Sequence, residues 1–207
     1  MSTTLVIGDY NSSSWSFRAW LVLKAAGVSF EVVRVKLGQE NTRAQILKYS
    51  PSGKVPALLT EGVVINDSLA IAEYIAHLHP EAQLWPQYPI PKALARAAVA
   101  EMHSGFSHLR TQLSFGLSTG DIAQVLTVET KEEIQRIFSL WSDLRTRSAS
   151  SRFLCGEFGI VDAMFVPVVF RFRRYGVAVP EALQDYVAHV LEHPLVQEWQ
   201  QLAAKEA

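Results

Sequence analysis

Between Pro80 and Pro91 the chain carries four prolines in twelve residues, Pro80, Pro86, Pro89 and Pro91. Proline has no backbone N–H and a fixed φ, so such a stretch interrupts helix interiors and sheet ladders alike. It predicts a linker over 80–90 joining two parts, 1–79 and 91–207, of a 207-residue chain long enough to bury a substantial core. The patterning changes across it. Before it, short β-branched runs alternate with helical spacing; beyond it, no strong strand pattern appears.

In residues 1–79, Thr4 to Ile7 reads as a strand stopped by Gly8, and Ser16 to Ala26 has helical spacing through Phe17, Trp20, Leu21 and Ala25, with Gly27 at a C-cap position. Phe30 to Leu37 reads as a second strand, which the intervening helix makes parallel to the first. A helical stretch from Thr42 to Tyr49 leads into the turn cluster Ser50-Pro51-Ser52-Gly53. Strands at Val55 to Leu59 and Val63 to Ile65 then form a hairpin around Glu61-Gly62. Asn66, Asp67 or Ser68 can cap the next helix, whose apolar face is Ile71, Ala72, Ile75 and Leu78. Residues 91–207 read as helices. One stripe runs through Leu94, Ala98, Met102, Phe106, Leu109 and Leu113, another through Ile134, Ile137, Trp141 and Leu144, and two more pass through Leu183 and Trp199. Ile160 to Phe172, apolar nearly all round, predicts a central buried helix kinked at Pro167. The fold class is therefore an α/β domain followed by an all-α domain.

Apolar residues make up 49% of the chain and charged residues 19%, which excludes disorder. The formal charge of -1 supplies no basic field for nucleic acid or anionic lipid, and neither is expected as a partner. Cys155 is the only cysteine, so an intramolecular disulfide and a multi-thiolate metal site are ruled out. No leader pattern occurs at Met1 to Thr4 and no window approaches the ~20 apolar residues of a membrane span, so a cytoplasmic setting is expected.

Phosphate-binding signatures are absent: no G-x-G-x-x-G follows the first strand, and Gly53-Lys54 lacks the earlier glycine of a P-loop. His189-Val190-Leu191-Glu192-His193 spells H-x-x-E-H, an inverted zinc-peptidase order, but Pro194 follows at once and only Glu198 and Glu206 remain as later carboxylates. A surface helix end is the expected reading, with no metal. His77 and His79 fall on different faces of their helix and suit its C-terminal end. Arg171, Arg173 and Arg174 either grip an anion or complement a helix C-terminus, and His103, His108 and Arg110 need no more than an exposed helix face.

Three turns carry the informative chemistry. Asn11-Ser12-Ser13-Ser14-Trp15-Ser16 puts hydroxyls at a helix N-terminus, where free N–H groups favour an anion. Gly53-Lys54-Val55-Pro56 enters the hairpin with a proline that cannot donate to the ladder, leaving backbone for a peptide-like ligand. Asn66-Asp67-Ser68 opens a second helix N-terminus. Hydroxyls, a lysine and an acid converging at one end of a small sheet would suit a small zwitterionic peptide.

These segments resemble those of cytosolic glutathione transferases: Ser12 to Arg18 the serine-bearing first loop, Pro51 to Leu58 the cis-proline segment, and Asn66 to Ile71 the acidic-serine helix start. The resemblance spans the chain, including the late segment Phe153 to Ala163. It implies a thioredoxin-like domain that binds glutathione as co-substrate, a helical domain over a small electrophile, and a homodimer. It further implies that Lys54 pairs with the glycyl carboxylate, that Val55 brackets the cysteinyl unit beside a cis Pro56, and that Asp67 and Ser68 hold the γ-glutamyl end. By loop position, Ser13 is the activating hydroxyl, with Ser14 the runner-up. Phe106, Arg110, Arg171 and Arg174 are candidates to face the second substrate. Two features depart from the family's usual pattern: Gly159 stands where Ser or Thr is common, leaving Asp162 to reach back to its N–H, and Asp67 stands where Glu is frequent. The rival expectations are a glutathione-dependent isomerase, as in the maleylacetoacetate isomerase branch, and a non-catalytic module of the same fold.

Overall fold

The computed structural model describes residues 3–117, 122, 124–148 and 152–206. Four strands, β1 (Thr4–Ile7), β2 (Glu31–Arg34), β3 (Ala57–Thr60) and β4 (Val63–Asn66), form one sheet in the order β2-β1-β3-β4. β2 runs parallel to β1, and β3 runs antiparallel to both β1 and β4. α1 (Ser14–Ala25) makes the parallel crossover expected from the sequence. Side chains alternate across β1 as the pleat requires. Leu5 and Ile7 join the main core with Phe17 and Leu21 of α1 and Ile71 of α3 (Ser68–Leu78), whereas Val6 joins a smaller cluster with Val35, Ala57 and Ile46 of α2 (Thr42–Leu47).

Beyond a short 3-10 turn at Pro80–Ala82 the described elements are helical: α4 (Pro89–Ser104), α5 (Ser107–Gln112), α6 (Val128–Thr146), α7 (Ile160–Arg174), α8 (Glu181–Glu192) and α9 (Pro194–Ala204). Every residue of α7 from Ile160 to Phe172 is buried, with Pro167 inside the helix. α1 packs on α7 and α9 as well as on α3, and Phe17 stacks on Trp199 of α9 at 4.6 Å between ring centroids. The main core therefore runs unbroken from the sheet into the helical domain. Among the described residues no helix is long and apolar enough to cross a membrane.

Some elements differ from the expectation for local reasons. α4 begins at Pro89, inside the proline stretch, because the missing N–H of a proline at the first helical position would have no partner anyway. β3 starts at Ala57, directly after the proline, and β2 stops at Arg34 with one further bond from the Val35 N–H to the Ile7 carbonyl. The stripe from Leu94 to Leu113 is two helices. α4 ends at Ser104, Gly105 is extended, and Phe106 takes a left-handed conformation (φ 59°, ψ 44°) before α5. Arg110 of α5 turns back to donate Nε–H to the Gly105 carbonyl at 3.1 Å and an Nη2–H to that of Met102, satisfying carbonyls left open where α4 ends.

The N-terminus of α7 explains Gly159. The buried Asp162 carboxylate accepts the Gly159 and Leu154 N–H groups, each at 3.0 Å, as the sequence predicts for the first of them. A Cβ at position 159 would stand 2.6 Å from the Leu84 carbonyl oxygen, which itself accepts the Ile160 N–H at 3.0 Å. The segment after the 3-10 turn docks on this helix end so closely that a serine or threonine does not fit.

Candidate functional site

A cavity of about 420 Å³ opens where three turns of the α/β domain meet the helical domain. Its wall is Trp15 at the start of α1, Ser52, Lys54, Val55 and Pro56 ahead of β3, and Asn66 to Ser68 where β4 passes into α3; α4 adds His103. The Val55-Pro56 peptide is cis. Lys54 is exposed, and its ammonium makes no hydrogen bond or ion pair among the described residues. Thus Lys54, Val55, Pro56, Asp67 and Ser68, singled out separately in sequence, line one cavity.

Of the three candidate caps for α3 it is Asp67 that serves. Its Oδ1 accepts the Leu69 N–H at 2.8 Å and the Ala70 N–H at 3.2 Å. Its backbone has φ 86°, a region that side-chain-bearing residues rarely adopt. Its other oxygen, Oδ2, lies 3.0 Å from His103 Nε2. Ser68 is buried, and its Oγ has no partner among the described residues. The helix end thus offers an acceptor, an uncommitted hydroxyl and the positive pole of α3 within one turn.

The first loop is held from both sides. Ser13 caps α1: its Oγ receives the Ser16 N–H at 3.4 Å and lies 2.7 Å from Ser16 Oγ, which accepts the Gly8 N–H at 3.0 Å. Ser13 and Ser14 are each 6% exposed and stand beside, not in, the cavity lining, which takes Trp15 from this loop. On the outer side, the Glu206 carboxylate accepts the Tyr10 N–H at 2.9 Å and the Asn11 N–H at 3.0 Å, pairs with Arg34 at 2.7 Å, and is joined by the Asn11 side chain, which also donates to the Ala203 carbonyl.

Positive charge gathers behind Trp15. The guanidinium carbons of Arg18 and Arg110 lie 4.4 and 4.5 Å from the Trp15 ring centroid. Arg18 is fully buried; it donates Nε–H to the Met164 carbonyl, while its two terminal nitrogens have no partner among the described residues. Burial, then the charges of Arg110 and Arg171, holds its pKa well below the usual arginine value. Arg171, also buried, donates to the Leu113 carbonyl, and burial followed by the Arg110 charge lowers it to about 10. No carboxylate bonds to these three arginines among the described residues. Phe106 is buried, and Arg174 lies against Gly116, where a Cβ would meet its Nη1.

Sequence reasoning passed over His103 and Arg18. Arg18 had left a signal, a charge on the helix face of Leu21, Val22 and Ala25. The remaining candidates fall elsewhere. Burial, with the Asp162 charge second, pushes the Cys155 thiol up to about 12, so it stays protonated at neutral pH. His193 stacks on Phe158 at 4.0 Å, and its Nδ1 accepts the Leu195 N–H that opens α9. Among the described residues no three His, Cys, Asp or Glu side chains are grouped to hold a metal ion. His79 caps the end of α3 beside Glu81.

The architecture is a thioredoxin-like α/β domain followed by an all-α domain, with the cavity between them. Residues 12–78 match the glutathione S-transferase N-terminal domain and residues 128–201 the glutathione S-transferase C-terminal domain. A Caenorhabditis elegans protein named probable maleylacetoacetate isomerase is 27% identical over 209 residues, covering 91% of this chain and 92% of that protein. A stringent starvation protein A homolog of Pasteurella multocida is 25% identical over 178 residues, covering 83% of this chain and 78% of that protein. The crystal structure of a glutathione transferase homolog from Burkholderia, with bound glutathione, superposes with a TM-score of 0.76 at 25% identity, covering 99% of this chain and all of the other. The chain has the fold of the cytosolic glutathione transferase superfamily.

Proposed function

We propose that the protein is a glutathione transferase that binds glutathione in this cavity and activates its thiol, through Ser13, for attack on a small electrophile or peroxide. The observation that carries the reading is the pairing of an unmatched cation, Lys54, with an acceptor and a free hydroxyl, Asp67 and Ser68, across one cavity. Lys54 takes the glycyl carboxylate, the Val55 backbone the cysteinyl unit, Asp67 the ammonium, and Ser68 with the α3 N-terminus the γ-glutamyl carboxylate. The thiol gives up its proton to solvent, and the thiolate sulfur bonds to the electrophilic carbon as the leaving group departs with the bonding electrons. With a peroxide it bonds to oxygen as the O–O bond breaks to release an alcohol or water, and a second glutathione thiol displaces water from that sulfur to give the disulfide. Phe106, Arg110, Arg171 and Arg174 lie outside the cavity lining and are the candidates for the second-substrate side, and the charge of Arg18, Arg110 and Arg171 behind Trp15, to which no carboxylate bonds among the described residues, suits a substrate carrying a carboxylate.

Calorimetric titration with glutathione tests the reading. The wild type gives a saturable heat, and Lys54→Ala weakens binding about tenfold with unchanged circular dichroism. A charge-assisted hydrogen bond contributes about 1.5 to 3 kcal/mol, and the exposure of Lys54 favours the lower end. An affinity within twofold of wild type removes Lys54 from the site. The maleylacetoacetate isomerase relatives and the charge behind Trp15 support a second reading, glutathione-dependent isomerisation. The stringent starvation protein A homologs support a third, a non-catalytic module. Glutathione consumed, glutathione returned unchanged, or no turnover separates the three.

The reading places the protein in the cytoplasm, without metal or nucleic acid, as a homodimer. β4 is an edge strand with Val63 and Val64 exposed, and Tyr88 and Ile90 stand exposed around the start of α4, apolar surface that suits a second copy. Light scattering at micromolar concentration is expected to give twice the chain's 23.1 kDa; the single-chain mass rules the dimer out.

A further inference from the structure

We propose that His103 is a positioning residue for the amino group of the bound peptide, acting through Asp67 from the opposite domain. This rests on the reading that the cavity takes glutathione. The imidazole stands in the cavity wall on α4, with Nε2 3.0 Å from Asp67 Oδ2. The other oxygen of that carboxylate is committed to two α3 N–H groups. With both oxygens held, the carboxylate cannot turn, and the second lone pair of Oδ2 is left for a ligand ammonium. An acceptor fixed in advance binds a cation without first losing rotational freedom or a hydration shell.

The ring is itself braced. It meets the Trp15 indole edge-on at 5.2 Å between centroids, and Arg110 lies against that same indole. Its Nδ1 is buried without a partner among the described residues, so the tautomer that donates from Nε2 leaves no unmatched N–H inside the wall. A histidine placed only to fill space has no need of a carboxylate at hydrogen-bond distance. Amino-group recognition is thereby shared between the domains: the acid comes from the turn between β4 and α3, and the group that aims it comes from α4.

The test compares glutathione with its counterpart lacking the amino group, glutaryl-cysteinyl-glycine, by calorimetric titration of wild type, His103→Ala and His103→Gln. Removing one orienting hydrogen bond is expected to weaken glutathione about five- to tenfold in His103→Ala, while the deaminated ligand changes by less than about twofold. His103→Gln, which keeps an N–H donor of similar reach, is expected to return glutathione affinity to within about twofold of wild type. Three results overturn the proposal while leaving glutathione binding intact. Unchanged or tighter glutathione binding in His103→Ala means the imidazole does not aim the carboxylate, or competes with the ammonium for it. Equal losses for both ligands mean the ring only supports Trp15. A glutamine variant as weak as alanine, with intact circular dichroism, removes the hydrogen bond from the account. If the wild type binds no glutathione, the functional reading fails, and this inference with it.

Discussion

Asp162→Ala is expected to lower folding stability by roughly 3 to 5 kcal/mol, since each of the two N–H groups it serves costs about 1 to 3 kcal/mol when left buried and unpaired. For a chain of this size that is a fall of about 10 °C in Tm. Denaturant unfolding should show an earlier midpoint with an unchanged slope. Asp162→Asn keeps one oxygen acceptor and should lose about half as much. A loss below about 1 kcal/mol for alanine would mean that the Leu154 and Gly159 N–H groups find other partners. Burial raises the carboxyl to about 7 against the pull of those same N–H groups, whereas the unfolded chain has it near 3.8. Between those values the unfolded chain has released the proton and the folded chain retains it, so this group's contribution to stability falls as pH rises from about 4 to 7. The asparagine variant should lack that part of the slope.

Ser13→Ala is expected to raise the pKa of bound glutathione's thiol by about one to two units, at about 1.4 kcal/mol per unit. A thiol of pKa ~8.5 is about 3% ionised at pH 7, and a shift to ~6.5 makes that roughly three quarters, requiring about 2.7 kcal/mol of thiolate stabilisation. A hydroxyl donor to an anion supplies ~1.5 to 3 kcal/mol and a helix end ~0.3 to 1. Ser16 Oγ accepts from Gly8, so its own hydrogen can go to Ser13 Oγ, leaving the Ser13 hydrogen to point outward. Thiolate absorbance followed across pH reads the shift, and affinity near pH 6 should hold. Because Ser13 also caps α1, some stability is lost, about 0.5 to 2 kcal/mol, and the titration belongs at a temperature where both proteins are folded. A shift with Ser14→Ala alone passes the role to Ser14. No shift with either leaves the thiolate to backbone N–H groups and removes the serine from the mechanism.

What could be read from the sequence was local. The helix α1 that makes the crossover, a cap for α3 somewhere in Asn66 to Ser68, and the reach of Asp162 to Gly159 depend on residues a few positions apart, where periodicity and capping chemistry speak directly, though only the fold picks Asp67 from the three. The break between α4 and α5 did not show, because Phe106 keeps the helical spacing of Met102 and Leu109 while Arg110 supplies the substitute bonds by folding back. Gly159 read as a missing cap until the Leu84 carbonyl, far away in sequence, filled the space a side chain would need. His103 looked like ordinary helix surface for the same reason: its partner belongs to the other domain. Residues that complete the cavity by long-range contact carry no nearby sign of it.

The Glu206 carboxylate that fastens Tyr10 and Asn11 bridges a separation of 196 positions in the chain. On a ribosome adding about 5 to 20 residues per second, the loop bearing Ser13 emerges some 10 to 40 seconds before the residue that clamps it. The strands and α1 can pair in that interval, but the loop stays unlatched until Glu206 has emerged. A nascent chain is thus kept from presenting a finished first loop until the segment after α9 that carries its clamp has been made.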